Sequence, residues 1–210
     1  MTRIGRHEIL DAMKILSSLV AATLLASPIL HAAPAPDPTV DEVAVIETSK
    51  GQLVLEFWPD VAPKTVANFK KLAGAGFYDG TAFHRILANF MAQGGDPLTK
   101  DLSQEARWGT GGPGYQIPAE FNDRSHERGV VSMARSANPD SAGSQFFLML
   151  GTASHLDGKY TGFGKVIQGE ETLAKIAATP VIVSPSGEPS KPTERVEIKS
   201  VKIVPRSSVQ

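Results

Sequence analysis

Cysteine is absent from the 210 residues. That single absence excludes disulfides, thiol catalysis, iron–sulfur clusters and thiolate zinc sites. Charge imbalance is absent too: 21 basic against 22 acidic side chains leave a formal net charge of -1. The chain therefore has no basic field for nucleic acid and no acidic tail. Its one extended apolar run, Ile15 to Leu30, is too short and too serine-rich for a comfortable membrane span. What the chain has in quantity is turn formers, 15 prolines and 19 glycines, which favour short strands over long helices. The length suits one domain with a well-buried core.

The first forty residues do not read as part of that domain. Lys14, the apolar run and the small residues Ala32 and Ala33 follow the order of a secretory signal. We assign a signal peptide to 1–33, with Met13 as an alternative start and cleavage after Ala32 or Ala33. A core helix is the competing reading, but the run has no polar face. Residues 34–42 form a stiff proline- and alanine-rich lead-in, 43–204 the folded domain and 205–210 a polar tail. The expected destination is export to a periplasm or outside the cell, with no stable membrane insertion after cleavage.

Along the mature chain, "VAVIET" and "GQLVLEFW" are strand-like, the second with Leu53, Leu55 and Phe57 on one face. "PKTVANFKKLAGAG" reads as a helix opened by Pro63 and stopped by Gly74 and Gly76. Thr81 to Ile86 and Phe90 to Gln93 are short strands, and 96–121 is an ordered glycine- and proline-rich surface loop. "GVVSMA", "SQFFLML" and "FGKVI" are further strands, and "GEETLAKIAA" is a second helix with acids in its first turn. "SPSGEPSKP" reads as a loop. "RVEIKSVKIV" is a last strand whose alternation slips near Lys199 and Ser200, as at a bulge. Many short strands with two helices imply a closed or nearly closed β-barrel.

"FHRILANFMAQGGD", "GTGGPGYQIPAEF", "GVVSMAR", "GSQFFLML" and "HLDGKYTGFGKVIQG", in this order and spacing, resemble the cyclophilin family of peptidyl-prolyl isomerases. The resemblance covers about Val43 to Val204. It implies a mainly β fold: an eight-stranded antiparallel closed barrel capped by two α-helices, with a proline-binding groove on its outer face. It also implies an isomerase that needs no cofactor and no metal, with Arg85 as the catalytic donor and Gln93 bracing it. Phe90, Met91, Phe147 and Leu156 then match the apolar proline pocket. Ala134 and Arg135 match the edge that anchors the peptide, and Gln145 matches a second glutamine of the groove. His155 and Tyr160, also on the rim, depart from the family, where many members carry tryptophan and histidine at these places. Weak cyclosporin binding is the expected consequence of His155. The implied partners are Xaa-Pro segments of unfolded or flexible proteins, and a monomer is expected.

Arginine chemistry fits such a site. Halfway through rotation of an Xaa-Pro bond the prolyl nitrogen becomes pyramidal, and a donor aimed at its lone pair favours the twisted state over both planar isomers. The pocket beside it wants rigid aromatics, an adaptable methionine and few polar groups. A plainer reading pairs Arg85 with a carboxylate such as Glu120 or Asp123. The alternative function is a non-catalytic proline-segment binder or holdase, which has no need of a lone-pair donor. His31, His84, His126 and His155 show no ligand spacing for a metal. Ser144 is not in a nucleophile elbow, and "GTGGPG" lacks a Walker lysine.

Overall fold

The computed structural model describes residues 41–209. The assigned signal peptide and almost all of the lead-in lie outside the described residues. In chain order the elements are β1 (Glu42–Thr48), β2 (Gly51–Phe57), α1 (Pro63–Gly74), β3 (Thr81–Phe83), β4 (Arg85–Leu87) and β5 (Met91–Gly94). They continue with β6 (Val130–Met133), β7 (Phe146–Met149), β8 (Gly162–Gln168), α2 (Glu170–Ala177), β9 (Val181–Val183), β10 (Pro189–Pro192) and β11 (Val196–Pro205).

Nine strands form one antiparallel sheet in the order β3-β11-β1-β2-β8-β6-β7-β5-β4. Its two ends, β3 and β4, are separated only by His84, whose N–H donates to the Gln93 carbonyl at 3.0 Å. Thr81 to Leu87 is thus one run of chain that pairs with β11 through its first half and with β5 through its second. Counted as one strand it closes the barrel at the expected eight. Closure removes the sheet edges that would otherwise template association.

Alternation decides which side chains fill the barrel. Leu53 and Leu55 of β2 are buried, and Phe57 packs partly buried against the same cluster. The core centres on Phe69 of α1, whose ring lies 4.9, 5.5 and 5.4 Å from those of Tyr78, Phe146 and Phe163. These stacked, edge-on and tilted aromatic contacts add to what burial alone supplies. Burial pushes the Tyr78 hydroxyl far above the ordinary tyrosine range.

The slip anticipated in the last strand is real. Glu47 pairs with Ser200 and Thr48 with Ile198, leaving Lys199 as the extra residue of a bulge. Two other expectations need changing. "SPSGEPSKP" is not only loop: Lys191 pairs with Ile182 and Pro192 with Val181, so β9 and β10 form a separate two-stranded ribbon. The prolines hid it, because they cannot donate to a ladder and are tolerated only where one edge stays unpaired. The start of the polar tail is also tied down. β11 runs to Pro205, and Arg206 pairs with Asp41 at 2.6 Å and Glu56 at 3.2 Å.

Candidate active site

On the outside of the barrel a second, smaller apolar cluster gathers Met91, Val130, Phe147, Met149, Ala153 and Leu156. Trp58, Leu87, Phe90, Ala134 and Tyr160 pack against it, partly buried. Strand alternation produces it from adjacent residues: Phe146 points into the barrel and Phe147 out of it. The Tyr160 ring meets Phe147 edge-on at 5.8 Å. The His155 ring lies exposed on the rim, 5.8 Å from that of Phe90. All four residues assigned to a proline pocket, Phe90, Met91, Phe147 and Leu156, therefore meet in one place.

Arg85 stands at the edge of this cluster. Pairing of β4 with β5 sets Arg85 opposite Gln93. Its Nε and Nη2 donate to the two oxygens of Glu188 at 2.6 and 2.8 Å, while Nη1 lies 4.0 Å from the Met91 sulfur. Hydrogen bonding from Arg85 is the main reason that the Glu188 carboxyl lies below its ordinary range. The partner is thus a carboxylate, as the plainer reading of Arg85 had it, but neither Glu120 nor Asp123. Glu120 instead accepts the Lys64 and Thr65 amides at the start of α1, at 3.0 and 2.8 Å.

Gln93 does not take the bracing part assigned to it. Its Nε2 donates to Gln145 Oε1 at 2.9 Å, and the guanidinium is held by Glu188. A charge-assisted forked pair outcompetes a neutral amide for the same donors. Gln145 in turn donates to the Gly109 and Gly111 carbonyls at 3.0 and 2.8 Å. The buried Asp96 holds those glycines from the other side, accepting their amides at 2.5 and 3.2 Å. Asp96 thereby orders a loop whose own composition predicts only turns. Gly95 precedes it with φ +81, and a Cβ there would come within 2.5 Å of the Ser144 carbonyl. Only glycine fits both conditions.

Between this loop and the 134–145 segment runs a cavity of about 850 Å³ lined by Gln93, Gly111, Tyr115, Ala134, Arg135 and Gln145. It meets the apolar cluster at Ala134. The Ala134 amide is committed to the Gln145 carbonyl at 3.0 Å. The Arg135 side chain is a staple: it donates to the carbonyls of Lys159, Ser136 and Ala137, and its guanidinium lies 4.5 Å from the centre of the Tyr160 ring.

His126, named above only as no metal ligand, lies against the pocket. It is buried, its ring stacks on Phe147 at 6.2 Å, and its nitrogens reach Asp157 Oδ1 at 2.9 Å and Ser132 Oγ at 3.0 Å. No local signal could have found it, because Asp157 lies 31 residues away. His84, beside Arg85, is pushed below the usual histidine range chiefly by burial, which disfavours its charged form.

An outward apolar pocket on a closed eight-stranded barrel, with Arg85 at its edge, is the arrangement that the resemblance to the cyclophilin class implies. The profile of the family "Cyclophilin type peptidyl-prolyl cis-trans isomerase/CLD" matches residues 43–203. A probable peptidyl-prolyl cis-trans isomerase of Brucella abortus is 44% identical over 166 residues, covering 76% of this chain and 84% of its own. A peptidyl-prolyl cis-trans isomerase of Synechococcus elongatus is 48% identical over 130 residues, covering 62% and 83%. Among solved structures, a Cryptosporidium parvum cyclophilin determined in the presence of the dipeptide Ala-Pro superposes with a TM-score of 0.67 at 33% identity. That alignment covers 77% of this chain and 98% of the other. The chain belongs to the cyclophilin-type peptidyl-prolyl cis-trans isomerase family, and it is an isomerase.

Proposed function

We propose that this isomerase turns Xaa-Pro bonds of exported proteins, with the proline ring in the Phe90, Met91, Phe147 and Leu156 pocket and Arg85 as catalytic donor. The observation that carries the reading is the placement of Arg85 Nη1, 4.0 Å from the Met91 sulfur and beside that pocket. The Ala-Pro dipeptide present with the Cryptosporidium relative supports the substrate class. The signal-like N-terminus supports export.

Amide resonance sets a rotation barrier of roughly 18–20 kcal/mol. Rotation breaks the resonance and leaves a lone pair on the prolyl nitrogen, which Nη1 meets as a donor only in the twisted state. That differential interaction is what accelerates the step. Each factor of ten needs about 1.4 kcal/mol, and a hydrogen bond to a charged group is worth roughly 1.5–3 kcal/mol. The arginine therefore supplies one to two factors of ten. The pocket supplies the rest by holding the ring while the acyl side turns. The preceding residues of the substrate lie along the cavity beside Gln93, Ala134 and Arg135, and Gln145 shapes its wall through the Gly109 and Gly111 carbonyls.

A cis/trans relaxation assay on a short Xaa-Pro peptide tests this. Arg85→Ala is expected to lower kcat/KM at least tenfold while the thermal midpoint is kept. An alanine variant that turns over at the wild-type rate would remove Arg85 from the mechanism. Binding of the peptide with no turnover by the wild-type protein would favour the holdase reading.

A further inference from the structure

An arginine carries five N–H donors in a planar fork, and only some can face a substrate. In Arg85 the Nε and one Nη2 hydrogen are taken by the two oxygens of Glu188, at 2.6 and 2.8 Å. This side-on pairing fixes the guanidinium plane to the carboxylate plane, which a single bond could not do. The nitrogen opposite that edge is Nη1, and it is the one directed toward Met91 and the apolar cluster.

Glu188 reaches Arg85 from 103 residues away, at the turn between β9 and β10. The turn is itself held. The Ser184 and Ser190 amides donate to the Glu188 carbonyl at 2.7 and 2.9 Å, and Lys191 of β10 pairs with Glu105. The ribbon thus presents one carboxylate to β4 from a braced backbone, outside the barrel sheet. Both partners remain about one third exposed, so the pair adds little to stability. Its consequence lies in orientation.

We propose that Glu188 is a positioning residue for the isomerase reaction, holding the Arg85 guanidinium so that Nη1 faces the place of the prolyl nitrogen. This rests on the donor role assigned to Arg85 above. Without the carboxylate the arginine keeps its charge but samples many rotamers, and few of them aim a donor at the pocket. Displacement of a reacting group by about 1 Å can cost up to a hundredfold in rate. The effect falls on the twisted state, so it is read in kcat rather than in KM.

The experiment uses the purified mature protein and Glu188→Gln, Glu188→Asp, Arg85→Ala, Arg85→Lys and the Glu188→Gln/Arg85→Lys double variant. Glu188→Gln is expected to lower kcat about tenfold, with KM within twofold and the melting midpoint unchanged. Glu188→Asp, which keeps the charge on a shorter arm, is expected to recover part of that loss. In the Arg85→Lys background, where no fork can form, Glu188→Gln should add no further loss. In ¹⁵N-correlated spectra the Arg85 Nε–H signal should be protected from exchange in the wild type and lost in Glu188→Gln. An inactive Arg85→Ala beside a Glu188→Gln as fast as or faster than wild type would overturn the role of Glu188 and leave that of Arg85 standing. A loss in Glu188→Gln that follows a fall in melting midpoint would also overturn it, as a structural effect. A fully active Arg85→Ala would instead overturn the donor assignment on which it rests.

Discussion

Asp157 accepts both the main-chain N–H of His126, at 2.8 Å, and its ring Nδ1, at 2.9 Å. The main-chain bond is the larger reason that the Asp157 carboxyl sits below its ordinary value of 3.8. A depressed carboxylate stabilises the fold above that ordinary value, and the contribution is lost as pH falls through the lower, folded-state value. In urea titrations between pH 5 and 3 the wild-type midpoint should fall with acid. Asp157→Asn should start lower and respond less over the same window. Because His126 stacks on Phe147, the asparagine variant should also lose some activity at neutral pH. Equal acid sensitivity in the two proteins would show that another carboxylate controls this range.

At the scale of elements, α1 takes its N-terminal cap from far along the chain. Ala62 gives no side-chain cap, and Pro63 occupies the first turn. The free amides of Lys64 and Thr65 go to Glu120, 55 and more residues further on. The cap therefore also pins the end of the long glycine- and proline-rich loop to the helix. Glu120→Ala should cost about 1 kcal/mol, as the loss of an N-terminal cap does, and lower the melting midpoint by about 2–4 °C. Peptide turnover at 25 °C should stay at the wild-type level, since Glu120 lies outside the pocket cluster. A melting curve that does not move would mean that solvent satisfies those amides equally well.

For the molecule as a whole, the barrel places its main apolar filling inside and the smaller apolar cluster beside Arg85 on one outer wall, so the proposed site needs no hollow in the core. The export reading predicts that protein recovered from the cell envelope begins near Ala33. Intact-mass measurement checks it, and a full-length N-terminus on cytoplasmic protein would overturn it.

Local pattern was enough for the two helices, the main strands and the bulge at Lys199, because hydrophobic period, Pro63 and a slip in alternation are properties of neighbouring residues. The pocket residues Phe90, Met91, Phe147 and Leu156 were legible only as a resemblance, since nothing in their spacing says that β5, β7 and the 153–160 segment converge. The β9–β10 ribbon was hidden by its prolines. The partner of Arg85 could not be read at all. Glu120 and Asp123 are nearer in sequence, but the separate β9–β10 ribbon packs against β4 and brings Glu188 there, and ion pairing follows distance in space rather than along the chain. The same holds for His126 with Asp157 and for Gln93 with Gln145. Sequence by itself determined which residues could donate, accept or fill. Tertiary structure decided which of them meet, because polar pairs act only within a few ångströms and folding, not order in the chain, sets those distances.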